Sequence, residues 1–354
     1  MIASAMIVAL SVCILIAGAK GKKPELGEND FMLPDNMLPV RGAMAMVVLL
    51  HHFSGYYKPA YFLMPFQHVG YLLVAMFFFL SGYGVCAGFL RRSGYLQSFW
   101  KKRFISLYLP YLVSILIYGA VDSFVYQKGT FFARIIPSLV GIHSISPLGW
   151  YVGALMLMYA VFYASAMQKN QRMRKLVFMA LFGLVYMGLW LLPIDKVWTR
   201  SLIGFPIGLV YCSRRAEISR YYQAKRIPFL GLAIVCLLTG MGAKLYGEIQ
   251  GVPLINLIGN MVSCAAFVVL ACDCLSRVRV SNAVLRIMGG LSLEIYLYHR
   301  MVLDFLGQFH LIRNNMLVFY LCTLAGTVAV SWLIHSASKL VFGIERNRYG
   351  KTVV

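Results

Sequence analysis

Apolar runs of roughly 17 to 24 residues recur along the whole chain, each long enough to cross a hydrocarbon core about 30 Å thick. They lie near residues 2–19, 40–57, 68–90, 104–126, 148–167, 175–192, 198–213, 228–246, 253–275, 284–304 and 316–343. Of the 354 residues, 60% are hydrophobic and 13% are charged, where a soluble domain carries about 25% charged residues. Mean hydropathy is +0.74. The expected fold is all-α: a polytopic transmembrane helical bundle of about eleven spans. The segment 20–39 mixes charge, Pro and Gly and reads as a linker, and a short interfacial helix is expected around Phe131–Val140. The longest basic connection, about 214–227, is too short to fold by itself.

A net charge of +21 raises the question of nucleic acid, but the cations alternate by loop instead of forming one patch. Clusters such as Lys20, Lys22 and Lys23, Arg91 to Arg103, Lys169 to Lys175, Arg214 to Arg226, Arg277 to Arg286, and Arg346, Arg348 and Lys351 fall on one set of alternate connections. Lys58, Lys128, Arg134, Lys196, Arg200, Lys244, Arg300 and Arg313 fall on the other. The division is 23 against 8 of the 33 Lys and Arg, with Arg41 and Lys339 inside spans. The positive-inside rule puts the first set and the C-terminus in the cytoplasm and the N-terminus outside. Contact with an anionic bilayer accounts for most of the charge, and no nucleic-acid partner is expected.

Residues 1–19 resemble a signal peptide only at Ala17-Gly18-Ala19. No charge precedes Lys20, and cleavage would invert every later loop, so an uncleaved helix is expected. The expected division is 1–37 (extra helix and linker), 38–343 (membrane core) and 344–354 (cytoplasmic tail). The eight cysteines are scattered and none shows C-x₂-C spacing. Cys272 and Cys274 would point about 200° apart on a helix, so no metal site is expected.

Chemistry concentrates in four places. Arg41 and His52 are eleven positions apart, which puts them on one helix face roughly 16 Å apart along the axis, with Ala45 and Val48 between them. His51 points about a quarter-turn away. Such residues in a membrane helix face a protein interior or a watery cavity. The plainer alternative has Arg41 snorkelling to headgroups and His52 as a packing residue. Second, Ser81-Gly82-Tyr83-Gly84 lies in a span that exits at Arg91 and Arg92, and the next begins after Lys101, Lys102 and Arg103. These five cations suit a polyphosphate donor, or they only set topology. Third, the penultimate span carries Glu294, whose carboxylate needs a partner such as Arg, His or Tyr. Ser292, Tyr296 and His299 share one face there, with Glu294 off it. Fourth, Trp150-Tyr151 opens a span with Tyr159 further in, either as an aromatic belt or as a surface for stacking a sugar. No Walker loop, G-x-S-x-G or H-E-x-x-H appears, so nucleotide hydrolysis, a lipase elbow and a zincin have no support.

Together these segments resemble acyltransferase family 3, polytopic membrane proteins that include O-acetyltransferases of bacterial polysaccharides. The resemblance covers residues 38 to about 343. It rests on Arg41-x₁₀-His52, Phe79-Leu80-Ser81-Gly82-Tyr83, Arg103 ahead of Pro110-Tyr111, Trp150-Tyr151 with Tyr159, and Ser292-Leu293-Glu294-Ile295-Tyr296-Leu297-Tyr298-His299. One departure concerns the R-x-x-R pair that many members carry: Arg103 is followed at that spacing by Ser106. Arg91, Arg92, Lys101 or Lys102 is then left to supply the second cation.

The resemblance implies transfer of an acyl group, acetyl above all, from cytoplasmic acetyl-CoA to a hydroxyl of a cell-envelope glycan, in an inner or plasma membrane. Acyl-CoA would be a donor substrate, with no bound cofactor. His52 would act as general base or as covalent acyl carrier, two routes the sequence leaves open. Arg41 would orient the donor, Arg91, Arg92, Lys101, Lys102 and Arg103 would hold its phosphates, and Tyr296 or Ser292 would stabilise an oxyanion. Ser81, Trp150, Tyr151, Glu294 and His299 stand as acceptor or structural candidates. Onward transfer to another acceptor would need a separate periplasmic or extracellular protein. The rival reading is a transporter of a glycan or lipid precursor using the intramembrane Arg, His and Glu. Against it, the sequence shows no repeated pair of broken helices of the kind transporters often have. A third reading is an envelope-assembly scaffold.

Overall fold

A computed structural model describes residues 1–21, 30–57, 61–127, 129, 131–280 and 282–342. Lys22, Lys23, Lys58, Lys128, Arg346, Arg348 and Lys351, and with them the expected tail 344–354, lie outside the described residues.

The fold is an all-α bundle. In chain order it comprises α1 (Ile2–Ile16), a two-residue strand β1 (Lys20–Gly21), α2 (Pro34–Ser54), a 3-10 segment (Tyr61–His68) and α3 (Gly70–Arg91). Next come α4 (Phe99–Phe124), α5 (Phe131–Val140), α6 (Gly149–Ala166), α7 (Gln171–Leu191), α8 (Val197–Arg200) and α9 (Gly204–Ser213). Then follow α10 (Arg215–Ala224), α11 (Arg226–Ile249), α12 (Pro253–Arg277), β2 (Val278–Arg279), α13 (Ala283–Gly290), α14 (Ser292–Leu306), α15 (His310–Arg313) and α16 (Met316–Phe342). Among the described residues, α2, α3, α4, α6, α7, α11, α12 and α16 are long and apolar enough to cross a membrane. The chain is a multi-pass membrane protein.

Three of the eleven apolar runs take another form. The first gives a helix of 15 residues, α1, which stops at Ala17 ahead of Gly18 at φ +72°. The run 198–213 splits into α8 and α9, and the run 284–304 splits into α13 and α14 at Leu291. The second break follows Gly289-Gly290, the poorest helix formers after proline. The interrupted helices absent from the sequence reading are therefore present in the backbone, and hydropathy alone does not register them. The loop expected at 214–227 is largely helical, as α10. Inside α4 a π-helical turn spans Phe104–Tyr108. Pro110 has no N–H to offer the Ser106 carbonyl, and a wider turn just before it absorbs that loss.

The described chain divides into two compact units. The first contains Met1–Leu73, Ile105–Ala120 and the part from Cys272 onward. Its central helix is α2, with 72% of its apolar window buried, against 11% for α7 and 17% for α11, which face outward. Pro34 starts α2 at a position where its missing N–H costs nothing, and Asp35 complements the helix dipole in the first turn. The α2 backbone meets that of α13 directly: a Cβ on Gly289 would overlap the Leu38 carbonyl oxygen, and one on Gly42 would overlap the Leu285 carbonyl oxygen. α1 is packed into the same unit, with Ile7 fully buried and Ser11 Oγ 2.8 Å from the Tyr320 hydroxyl. Asn282 Nδ2 donates to the carbonyls of Ile14 and Ala17, at 2.8 and 3.0 Å, and β1 pairs with β2 in antiparallel register.

The second unit contains Val74–Phe104 and Val121–Ala271. Here α3 and α9 pack backbone to backbone through Gly204 and Gly208, a small-xxx-small spacing. Cβ atoms there would strike the carbonyls of Ala75 and Phe79.

Because Gly289 has a backbone carbonyl where a side chain would go, Gly289→Ala should separate α2 from α13. Overpacking of this kind costs about 1–3 kcal/mol. The expected result is a lower melting temperature in detergent, with Gly231→Ala, which faces open space, as the unaffected control.

Candidate active site

The first unit holds a histidine cluster. α2 carries His51 and His52 in its last turn, and α14 brings His299 alongside. The His52 ring centroid lies 4.9 Å from that of His299, tilted by 42°, and 4.8 Å from that of His51. His51 is committed to structure: its Nδ1–H donates to the Phe66 carbonyl at 2.8 Å, and its ring packs on Gly70. His52 remains half-buried. Arg41, three turns earlier, is exposed, while Ala45 and Val48 between them are buried.

His299 is buried at 1% exposure. Its Nδ1 lies 2.9 Å from the Ile295 carbonyl. A carbonyl only accepts, so Nδ1 carries hydrogen and Nε2 of the neutral ring presents a lone pair. That Nε2 is buried and makes no hydrogen bond among the described residues. Tyr296, also buried, sits with its ring 6.3 Å from His299, as their shared helix face requires, whereas Ser292 is half-buried at the start of α14. Next to His299 in the chain, Arg300 pairs with Asp304 at 3.1 Å and lies 5.5 Å over the Tyr56 ring. The Tyr56 hydroxyl donates to Asp304. The rings of His51, His52 and His299 thus adjoin a half-exposed patch carrying a carboxylate, a guanidinium and a phenol.

Glu294 has a partner that the sequence reading did not identify. His335 of α16 donates from Nδ1 to Glu294 Oε1 at 3.0 Å, with both side chains almost fully buried. Leu109, Pro110, Val113, Ser338 and Lys339 line a small pocket around this pair. The available signal was periodicity: Thr323, Thr327, Ser331 and His335 are spaced by four in an otherwise apolar segment.

The second unit holds a guanidinium site. Arg103 Nη2 donates to the Tyr95 hydroxyl at 2.7 Å, and the guanidinium lies 4.8 Å over Tyr159 and 5.3 Å over Phe99. Its Nε is buried and has no hydrogen-bond partner among the described residues. Gly94, at φ +66°, turns the chain so that Tyr95 folds back over Gly88. Burial pushes the Tyr95 phenol above its usual range, outweighing the opposite pull of Arg103, so the hydroxyl stays protonated. Arg91, Arg92, Lys101 and Lys102 are exposed. A further guanidinium absent from the sequence reading, Arg215, donates to the Tyr83 hydroxyl at 3.1 Å.

Three candidates are occupied locally. Ser81 Oγ donates to the Phe77 carbonyl of its own helix at 2.9 Å. Tyr151 is buried with its ring 5.1 Å from Phe78, and half-buried Trp150 packs edge-on against it. Among the described residues no group of three or more His, Cys, Asp or Glu could hold a metal.

The apolar helices define a multi-pass membrane protein, and the family match supplies its class, an acyltransferase. Residues 40–336 match the family described as an acyltransferase domain, and the chain belongs to that family, acyltransferase family 3. No match was found among curated proteins or among solved structures.

If Glu294 and His335 form an energetic pair, Glu294→Gln and His335→Asn should be non-additive. A double-mutant cycle on thermal unfolding is expected to return a coupling of about 0.5–3 kcal/mol, whereas simple additivity would mean the contact contributes nothing. Arg103→Lys keeps the charge but loses the planar stacking and fork geometry. It should lower the melting temperature where Lys101→Arg, at an exposed position, does not.

Proposed function

We propose that this membrane acyltransferase moves an acetyl group from cytoplasmic acetyl-CoA to a hydroxyl of a cell-envelope glycan, with His52 as the reacting imidazole. The observation that carries the reading is the contrast between two adjacent histidines of α2. The ring of His51 is held by a backbone carbonyl, whereas His52 stays half-buried beside the lone pair of His299. An imidazole so placed suits removal of a proton from a hydroxyl. The same ring can first take the acetyl group from the thioester and then pass it to the hydroxyl.

Arg103, with exposed Arg91, Arg92, Lys101 and Lys102, is assigned to the donor's phosphates, for which a guanidinium is the better ligand. Arg215 is the candidate for the second cation that Ser106 does not supply. Arg41 orients the donor from the α2 face. Tyr56, Arg300 and Asp304 have the mixed donor and acceptor character that suits a sugar's hydroxyls, with Tyr296 or Ser292 as oxyanion donors. On this reading basic loops and C-terminus are cytoplasmic, the N-terminus is outside, and the bilayer is an inner or plasma membrane. Onward transfer falls to a separate protein.

The experiment is purified protein in nanodiscs, supplied with radiolabelled acetyl-CoA and extracted envelope glycans. Wild type should label glycan, and His52→Ala should reduce the rate by about 10²–10⁴-fold, the usual contribution of a positioned acid–base group, with its melting temperature kept. Label on the protein before glycan is added identifies the acyl-histidine route, and its absence identifies direct transfer. No transfer by folded wild type under any acceptor would overturn the reading.

A further inference from the structure

α16 carries a buried row of hydroxyls that the acyl-transfer site does not use. Thr323, Thr327 and Ser331 are each fully buried and recur every fourth residue, so they form one stripe ending at His335, about 18 Å along the axis from Thr323. Buried Ser and Thr in apolar helices commonly donate to a carbonyl of their own helix. Buried Ser114, Ser165 and Ser263 do so here. The hydroxyls of Thr323, Thr327 and Ser331 make no hydrogen bond to any described residue.

The facing helix repeats the pattern. α14 runs antiparallel to α16, with Glu294 bonded to His335 and a Cβ on Gly326 placed 3.2 Å from Val302. That register sets Tyr298 level with Ser331, and His299 between Ser331 and Thr327. The Tyr298 hydroxyl and His299 Nε2 are also fully buried and without a partner among the described residues. Five polar atoms without a partner among the described residues cluster on two facing helices, and each such group left unpaired costs about 1–3 kcal/mol. Buried polar groups that lack a protein partner are satisfied by ordered water, which needs two to four such neighbours.

We propose that Thr323, Thr327 and Ser331, with Tyr298 and His299, hold a file of ordered water along α16 that the His52–His299 pair joins between Thr327 and Ser331, and that the stretch past Ser331 and Tyr298 carries protons between that pair and the Glu294–His335 pair. The role rests on the acyl-transfer reading above. Transfer breaks the thioester C–S bond and forms an ester C–O bond. The sulfur leaves with the bonding electrons as a thiolate, and the hydroxyl loses its proton. The overall reaction is neutral only when that proton reaches the thiolate. With the hydroxyl on the outer side and the donor on the cytoplasmic side, a proton handed directly from one to the other travels inward through the protein. His52 takes it from the hydroxyl, His299 accepts it at Nε2, and the water file delivers it to Glu294 and His335. There the surrounding pocket reaches Ser338 and Lys339 near the cytoplasmic end of α16.

Millisecond X-ray hydroxyl-radical labelling, read by mass spectrometry, tests the water directly on wild type in nanodiscs. Tyr298 and His299 should be labelled despite their burial, while Tyr111, equally buried, should not. An unlabelled Tyr298 would overturn the proposal without any variant. The double variant Thr327→Val, Ser331→Ala should lose the Tyr298 label and slow acetyl transfer by about ten-fold or more, a fraction of what a positioned proton acceptor contributes. Its affinity for CoA should be unchanged and its solvent deuterium isotope effect larger. Thr327→Ser, which keeps the hydroxyl, should restore both label and rate. A labelled wild type whose double variant turns over at full speed would leave water in place but remove its role in proton transfer. A wild type that transfers no acetyl would instead defeat the reading of function, and the labelling result would still stand.

Discussion

The first unit depends on the contact between the backbones of α2 and α13. Gly42 and Gly289 let a carbonyl of each helix occupy the place of a side chain on the other. In a lipid environment apolar side chains gain little by preferring each other to acyl chains, so close van der Waals packing through small residues has to hold helices together. That approach fixes the rotation of α2 about its axis, and with it the directions of Arg41, His51 and His52. It also explains the break at Leu291. A helix drawn in so tightly at Gly289-Gly290 ends there, and α14 starts afresh on a heading that brings His299 to His52 and Glu294 to His335.

The two units carry different chemistry. In the second, guanidinium groups are held by phenols and aromatic faces: Arg103 by Tyr95, Tyr159 and Phe99, and Arg215 by Tyr83 and Tyr211. A ring face orients a guanidinium without neutralising it. In the first, Arg300 likewise lies over the Tyr56 ring but is paired with Asp304, and the buried polar groups are imidazoles, the Glu294 carboxylate and hydroxyls.

Much of this was legible in the sequence because the bilayer restricts what an apolar run can become. Eight runs became helices long enough to span, and the short helix Phe131–Val140 formed where its pattern was read. The shared face of Tyr296 and His299 follows from helical spacing and is seen as a ring contact. Hydropathy could not reveal the breaks at 201–203 and at Leu291, since a broken apolar segment stays apolar. Nor could it pair Glu294 with His335, because the partner lies 41 residues away on a helix whose packing register is set by small residues. Ser81 illustrates the opposite error. Its motif attracted a functional reading, but its hydroxyl is bound to its own helix.

His299 connects His52 to the rest of the first unit. A side chain serving only as packing would not be expected to place one ring nitrogen on a carbonyl and leave the other buried and unbonded. The cost of that lone pair recurs in every folded molecule. Replacing His299 with an apolar residue of similar volume would remove it. The same argument applies to Thr323, Thr327 and Ser331, where valine or alanine would fill the space with no orphaned hydroxyl. The row of polar atoms on α16, without partners among the described residues, passes His299 and ends at the Glu294–His335 pair. The proposed file of water would use each of these groups because none is locked in a permanent bond to a described residue.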